Sequence, residues 1–234
     1  MYEKALIRLF GIGVTFVVLT AAPLFAQESG GQNAHGYVSA FGGTVWAGGN
    51  STGSVVFEGG ARIARHVMVF TNVGRFANLQ SDLQPTLDAT TTALSDQGLG
   101  ITAGGKLPAW YGVGGLRAEI PVSKHAYPYV LGGLGAAHLN PKPQLSFASG
   151  NMPDGSIPDI GTDVTTALVS AGDFTAPPAS TAFMFMLGGG VQVPLVPHWA
   201  VDLGYRYSRI AADSMLSTTA LNTNAMTFGF GYRF

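Results

Sequence analysis

The chain has 234 residues, with 12 Lys and Arg against 13 Asp and Glu and a formal net charge of −1. That balance leaves no electrostatic footprint for nucleic acid, and the absence of cysteine excludes a disulfide scaffold and a thiolate metal site. The 33 glycines oppose long helices and suit a tightly curved sheet.

Lys4 and Arg8 precede an apolar run from Leu9 to Ala22 that only Thr15 and Thr20 interrupt. Pro23-Leu24-Phe25-Ala26 then leads into a polar stretch that starts at Gln27. This order is that of a secretory signal peptide cut after Ala26. The run is shorter than the about 20 apolar residues a spanning helix needs. Residues 1–26 are therefore read as a signal peptide, 27–35 as a periplasmic lead and 36–234 as one folded domain. No second long apolar run follows, so a membrane form of this chain has to close a barrel, because open sheet edges are not left in lipid.

Eight strands are predicted, over 36–48, 53–64, 67–79, 109–120, 126–138, 181–193, 199–209 and 225–234. Each is close to the ~9–11 residues that a tilted strand needs to cross a bilayer. Three connections are short: Arg65-His66, Pro121 to His125, and Pro194 to His198. They alternate with 49–52, 80–108, 139–180 and 210–224. Short turns on one side and long loops on the other match the periplasmic and extracellular ends of an outer-membrane barrel.

Side-chain alternation agrees where it can be assigned. In the second strand Val55, Phe57, Ala61 and Ile63 lie opposite Glu58, Gly60 and Arg62. In the fourth, Trp110, Leu116, Ala118 and Ile120 lie opposite Arg117 and Glu119. In the seventh, Trp199, Val201, Leu203, Tyr205 and Tyr207 lie opposite Asp202, Gly204, Arg206 and Ser208. The first, third and fifth strands are ambiguous. The chain ends with Phe228, Phe230, Tyr232 and Phe234 on one face of a terminal strand, and Gly229, Gly231 and Arg233 on the other. A row of four aromatics suits lipid and a membrane interface, not water.

Val201-Asp202-Leu203-Gly204-Tyr205-Arg206-Tyr207 and the aromatic C-terminal strand resemble the OmpA/OmpX-type small outer-membrane β-barrel family. Pro128 to Gly135 and Gly188-Gly189-Gly190-Val191-Gln192 follow the same pattern. The resemblance covers residues 35–234 and implies an all-β fold: an eight-stranded antiparallel transmembrane barrel in the bacterial outer membrane. It also implies that the barrel assembly machinery reads the C-terminal aromatics Phe228, Phe230, Tyr232 and Phe234. The sequence runs out at the last barrel strand, so a peptidoglycan-binding domain of the OmpA type is not expected.

Three acids and three bases, Glu58, Arg62, Arg117, Glu119, Asp202 and Arg206, are expected to face the lumen and pair there. An eight-stranded lumen is only wide enough for side chains to fill, so they read as a plug, with a gated ion path as the other possibility. His35, His66, His125 and His198 each stand before an upward strand, as polar rim residues or, at the other extreme, a metal site. His138, near the other end, has no evident serine partner, so no catalytic residues, enzyme activity or cofactor are expected.

Thr-Thr-Ala-Leu recurs at 91–94, 165–168 and 218–221. Leu83, Leu87 and Leu94 share a helical face after Pro85, and Ile160, Val164 and Leu168 recur every four residues behind Thr162 or Asp163 as N-cap. Two short helices, 83–95 and 160–171, are predicted to pack over the barrel mouth, with a third turn near Ser217–Leu221. The loops are acidic, which argues against polyanionic partners and suits divalent cations at a lipopolysaccharide surface. The expected partners are outer-membrane lipid and lipopolysaccharide, together with an unidentified extracellular molecule. Two functions stay open: a structural or surface-interaction barrel, and a barrel that binds or transports small apolar solutes.

Overall fold

The structure is a computed structural model and describes residues 35–79, 84–120, 122, 126–211 and 220–234. The predicted signal peptide and most of the predicted lead, Leu83, His125 and residues 217–219 of the proposed third turn lie outside these residues. The elements in chain order are β1 (Gly36–Ala47), β2 (Asn50–Ala64), β3 (Val67–Phe76), α1 (Gln84–Asp96), β4 (Gly100–Lys106) and β5 (Ala109–Glu119). There follow β6 (Tyr127–Leu139), β7 (Lys142–Ser149), α2 (Thr165–Ala171), β8 (Ser180–Val196), β9 (Trp199–Ile210) and β10 (Leu221–Arg233).

Eight strands close an antiparallel barrel in the order β1-β10-β9-β8-β6-β5-β3-β2, while β4 and β7 pair with each other outside it. Closure runs from Tyr37 opposite Arg233 to Ala47 opposite Thr223. Phe234 extends it by donating its N–H to the Gly36 carbonyl at 3.0 Å, and its own carbonyl accepts from His35 and Gly36. Closure removes the unpaired edge that a terminal strand would otherwise expose.

Three expectations need correction. The predicted loop 49–52 is mostly strand: β1 and β2 meet in a two-residue turn, Gly48-Gly49, with φ of 54° and 87°. Only glycine takes both positions without strain, and such primed turns match the twist of a hairpin. One connection at the long-loop end is therefore as short as the two-residue turns Arg65-His66 and Pro197-His198 at the other end. The long connections also contain strands, because β4 and β7 continue β5 and β6 beyond the barrel. A one-residue irregularity and a glycine-rich β4 hid their alternation. Finally, Leu221 opens β10 and is not part of a helical turn.

Strand alternation puts apolar side chains outside. Phe57, Trp110, Leu134, Leu203, Met226 and Phe230 are more than half exposed, while their sequence neighbours point inward. The inward set on the ambiguous strands is aromatic or apolar as well: Tyr37 and Phe41 on β1, Met68 and Phe70 on β3, Tyr129 and Leu131 on β6. With apolar groups on both faces, no polar/apolar contrast marks these strands in the sequence.

The interior has two halves. Toward the long loops it is filled by Val45, Phe76, Leu139, Met184, Met186 and Ile210. Toward the short turns it holds Glu58, Arg117, Glu119, Asp202 and Arg233. The rings there lie on glycines. A Cβ on Gly60 would meet the Tyr37 ring, one on Gly74 the Tyr111 ring, and one on Gly229 the Phe41 ring. One on Gly190 would stand 2.7 Å from the Tyr129 hydroxyl. Each glycine is the space its neighbour's ring occupies, the close approach for which a strand gives up a side chain.

Candidate functional site

Glu58, on β2, is the hub of the lower half. Its Oε1 accepts the Tyr37 hydroxyl at 2.8 Å and Arg117 Nη1 at 3.3 Å. Its Oε2 accepts Arg206 Nη1 at 2.7 Å and Asn72 Nδ2 at 3.1 Å. These donors come from β1, β5, β9 and β3. Four of the remaining barrel strands are thus tied through one carboxylate.

Arg117 is fully buried and reaches three acids: Glu58, Glu119 at 3.4 Å and Asp202 at 3.8 Å. Its guanidinium lies over the Tyr129 ring, 3.7 Å from the centroid, and 4.6 Å from that of Tyr37. Cation–π contact is strongest where water is excluded. The Tyr129 hydroxyl donates to Asp202 Oδ1 at 2.6 Å. Arg206 lies over the Phe41 ring at 4.7 Å. Arg233 closes the lower end, donating to Glu119 Oε2 at 3.0 Å and to Gln192 Oε1 at 3.0 Å, above the Tyr127 ring.

Of the six charges expected inside, the structure brings Glu58, Arg117, Glu119, Asp202 and Arg206 together. Arg62 it places elsewhere, half-buried at the irregularity between Arg62 and Ala64, where its Nη1 donates to the Arg65 carbonyl at 3.3 Å. The cluster's third base is Arg233. Its signal was present in the sequence, since it shares the inward face with Gly229 and Gly231. Tyr37, Asn72, Tyr129 and Gln192 were missed because neutral hydrogen-bonding groups carry no charge pattern to follow.

The loops form a second unit. Leu87 and Leu94 of α1, Leu145 and Phe147 of β7, Val164, Leu168 of α2 and Phe174 bury one another in a core separate from that of the barrel. Val164 N–H donates to the Leu145 carbonyl at 2.8 Å, and Phe147 N–H to the Thr162 carbonyl at 2.9 Å. Residues 161–164 thus line the free edge of β7. The predicted second helix is shorter than expected: Thr162 N–H closes a turn on the Asp159 carbonyl, Asp163 bridges to Ser146, Ile160 is exposed, and only Leu168 of the three lies on a helical face. The Asp163 carboxylate accepts the Thr165 hydroxyl at 2.6 Å and its N–H at 3.0 Å, which holds its carboxyl below the ordinary aspartate range. The helices pack on the β4–β7 sheet, in a core of their own and not in that of the barrel.

The C-terminal aromatics Phe228, Phe230, Tyr232 and Phe234 line the outside of β10, in edge-on and stacked pairs. His198 stacks on Tyr232, and its Nδ1 lies 3.0 Å from the Arg233 carbonyl. Among the described residues no His, Asp and Glu group converges to hold a metal ion. His138 Nδ1 meets the Thr181 hydroxyl at 2.9 Å.

The family model described as outer membrane protein beta-barrel domain matches residues 12–234. Among solved structures, Neisserial surface protein A is similar at a TM-score of 0.52 with 13% identity, over 89% of this chain and 100% of its own. The attachment invasion locus protein Ail of Yersinia pestis gives a TM-score of 0.44 at 12% identity, over 86% and 99% of the two chains. OprG of Pseudomonas aeruginosa gives 0.45 at 11%, over 88% and 99%. No curated protein matches the sequence.

Proposed function

The chain belongs to the outer membrane protein beta-barrel family and resides in the bacterial outer membrane, and from that premise we propose that it is a closed, non-enzymatic anchor that holds a folded lobe at the cell surface for interaction. The carrying observation is the separate hydrophobic core of the loops, built on β4 and β7. Loops this long are uncommon without structure of their own and are usually functional. A lumen filled by paired charges and rings needs no gate to stay shut.

The alternative, a barrel for small apolar solutes, draws support from the apolar upper half, Val45, Phe76, Met184, Met186 and Ile210. These side chains are buried against one another, so a solute path requires them to move. Planar-bilayer recording on purified protein, combined with Leu168→Asp on intact cells, separates the readings. The anchor reading expects no large steady conductance. It also expects the variant to expose residues 84–106 and 142–174 to protease while the barrel stays folded on a gel. A steady conductance in the wild type, or a lobe as protected in the variant as in the wild type, overturns it.

A further inference from the structure

A row of outward side chains crosses four adjacent strands at the extracellular end of the barrel. Arg75 is the register partner of Trp110, Trp110 of His138, and His138 of Thr181. Each is one residue from its strand's extracellular end, on β3, β5, β6 and β8. All four are on the lipid face. The Arg75 guanidinium lies over the Trp110 ring, 5.6 Å from its centroid, and Trp110 is 57% exposed.

Past the barrel, beyond Leu107-Pro108 and Asn140-Pro141, stand Lys106 and Lys142. These are register partners too, both exposed. Like charges directly opposite on paired strands repel. The segments 75–79, 106–110 and 138–142 contain no Asp or Glu. Among the described residues, no ion pair includes Arg75, Lys106 or Lys142. Three cations and an imidazole thus gather at this end of β3, β5 and β6, and among the described residues no acid pairs with the cations.

We propose that Arg75, Trp110 and His138, with Lys106 and Lys142 above them, form a docking site for the phosphorylated headgroup of an outer-leaflet lipid. An arginine on the lipid face costs about 2–4 kcal/mol at the midplane and little at the interface, so its place at a strand end is tolerated and meets headgroups. Aromatic rings belong at that depth. The Trp110 ring holds the guanidinium against the wall and leaves its N–H edge for a phosphate, the anion whose geometry arginine matches. With Nδ1 engaged by Thr181, Nε2 is the polar atom that His138 has left to offer. The opposite wall does not compete. There Tyr207 donates to Asn222 at 2.8 Å and Tyr205 to Asn224, so these groups satisfy each other.

The test titrates the purified, folded protein in detergent with diphosphorylated lipid A or its dephosphorylated form and counts retained lipid by native mass spectrometry. The site predicts wild-type preference for the phosphorylated lipid, and about tenfold weaker retention in Arg75→Gln and in the Lys106→Gln/Lys142→Gln double variant, as loss of a charge-assisted contact brings. Arg209→Gln, a cation on β9 across the barrel, should bind as wild type does. Equal retention of the two lipids by the wild type needs no variant to fold and overturns the proposal. So does an equal loss in Arg209→Gln. Displacement of lipid A by equimolar inorganic phosphate would show that the site takes the free anion, and the lipid assignment would fall.

Discussion

Removing Arg117 tests the interior most directly. The Arg117→Met variant keeps the side chain's bulk and deletes its charge. Glu58 then retains Arg206 at 2.7 Å and its donors from Tyr37 and Asn72, and Glu119 retains Arg233 at 3.0 Å. Asp202 is the buried charge this change strands: its ion pair is with Arg117, and it keeps one donor, Tyr129. Breaking a buried pair from one side costs about 3–5 kcal/mol, since the other charge stays buried. The guanidinium stacked on two rings adds to that loss.

The double variants separate specific pairing from net charge. Asp202→Asn added to Arg117→Met removes the stranded charge, and its side-chain carbonyl still accepts the Tyr129 hydroxyl. It should recover about 2 kcal/mol, within the range of coupling between touching residues. Glu58→Gln added to Arg117→Met restores the same formal neutrality but strands Arg206 and leaves Asp202 alone, so it should not recover stability. The assay is urea unfolding in detergent, followed by the mobility shift between folded and unfolded barrel. A loss below about 1 kcal/mol in Arg117→Met, or equal rescue by the two second changes, would falsify the pairing scheme.

Three further outcomes follow from other parts of the molecule. Gly190→Ala puts a methyl 2.7 Å from the Tyr129 hydroxyl and should destabilise by about 1–3 kcal/mol, whereas Gly42→Ala, with nothing within 4 Å, should be neutral in the same unfolding assay. The Thr165 hydroxyl and N–H lower the pKa of Asp163, so its contribution is complete above the ordinary 3.8 and is lost as pH falls through the lowered value. Hydrogen-exchange protection at the head of α2, taken against the intrinsic rate at each pH, should therefore fall in acid, and Asp163→Asn, already less protected, should show no such step. Deletion of Phe234 removes the carbonyl that takes the His35 and Gly36 N–H groups and the last ring of the outer row. The truncated chain should accumulate as protease-sensitive periplasmic protein, and normal folded barrel in the outer membrane would sink that idea.

What the sequence made legible was wherever the two faces of a strand differ in chemistry. β9 alternates Val201, Leu203 and Tyr205 with Asp202 and Arg206, and its faces can be assigned by eye. β1, β3 and β6 cannot be read that way, because Tyr37, Met68 and Tyr129 point inward beside outward Val38, Val69 and Val130. The charges were visible, but not their partners, since Asn72 and Gln192 are polar residues among many. Arg62 keeps the inward register, opposite Met68, but stands at the turn end of β2 just before the irregularity, where its Nη1 reaches the Arg65 carbonyl. In the loops, helical spacing marked Leu87 and Leu94. It misread Ile160, whose segment pairs along β7 through backbone bonds that no side-chain period announces.

The lobe and the membrane site meet at one neck. β4 and β7 leave the barrel through Leu107-Pro108 and Asn140-Pro141, and the Asn140 N–H donates to the Pro108 carbonyl at 3.0 Å. Prolines cannot donate a ladder hydrogen bond, so the main pairing is interrupted there while the Asn140–Pro108 bond links the two strands. Trp110 and His138 stand just below this neck, Lys106 and Lys142 just above it. The hub at Glu58 fixes the barrel beneath by linking β1, β3, β5 and β9 to β2. A lipid phosphate held between Arg75 and the two lysines would bridge the strands on either side of the interruption. An anchor that must not conduct has a use for such a filled, cross-tied interior.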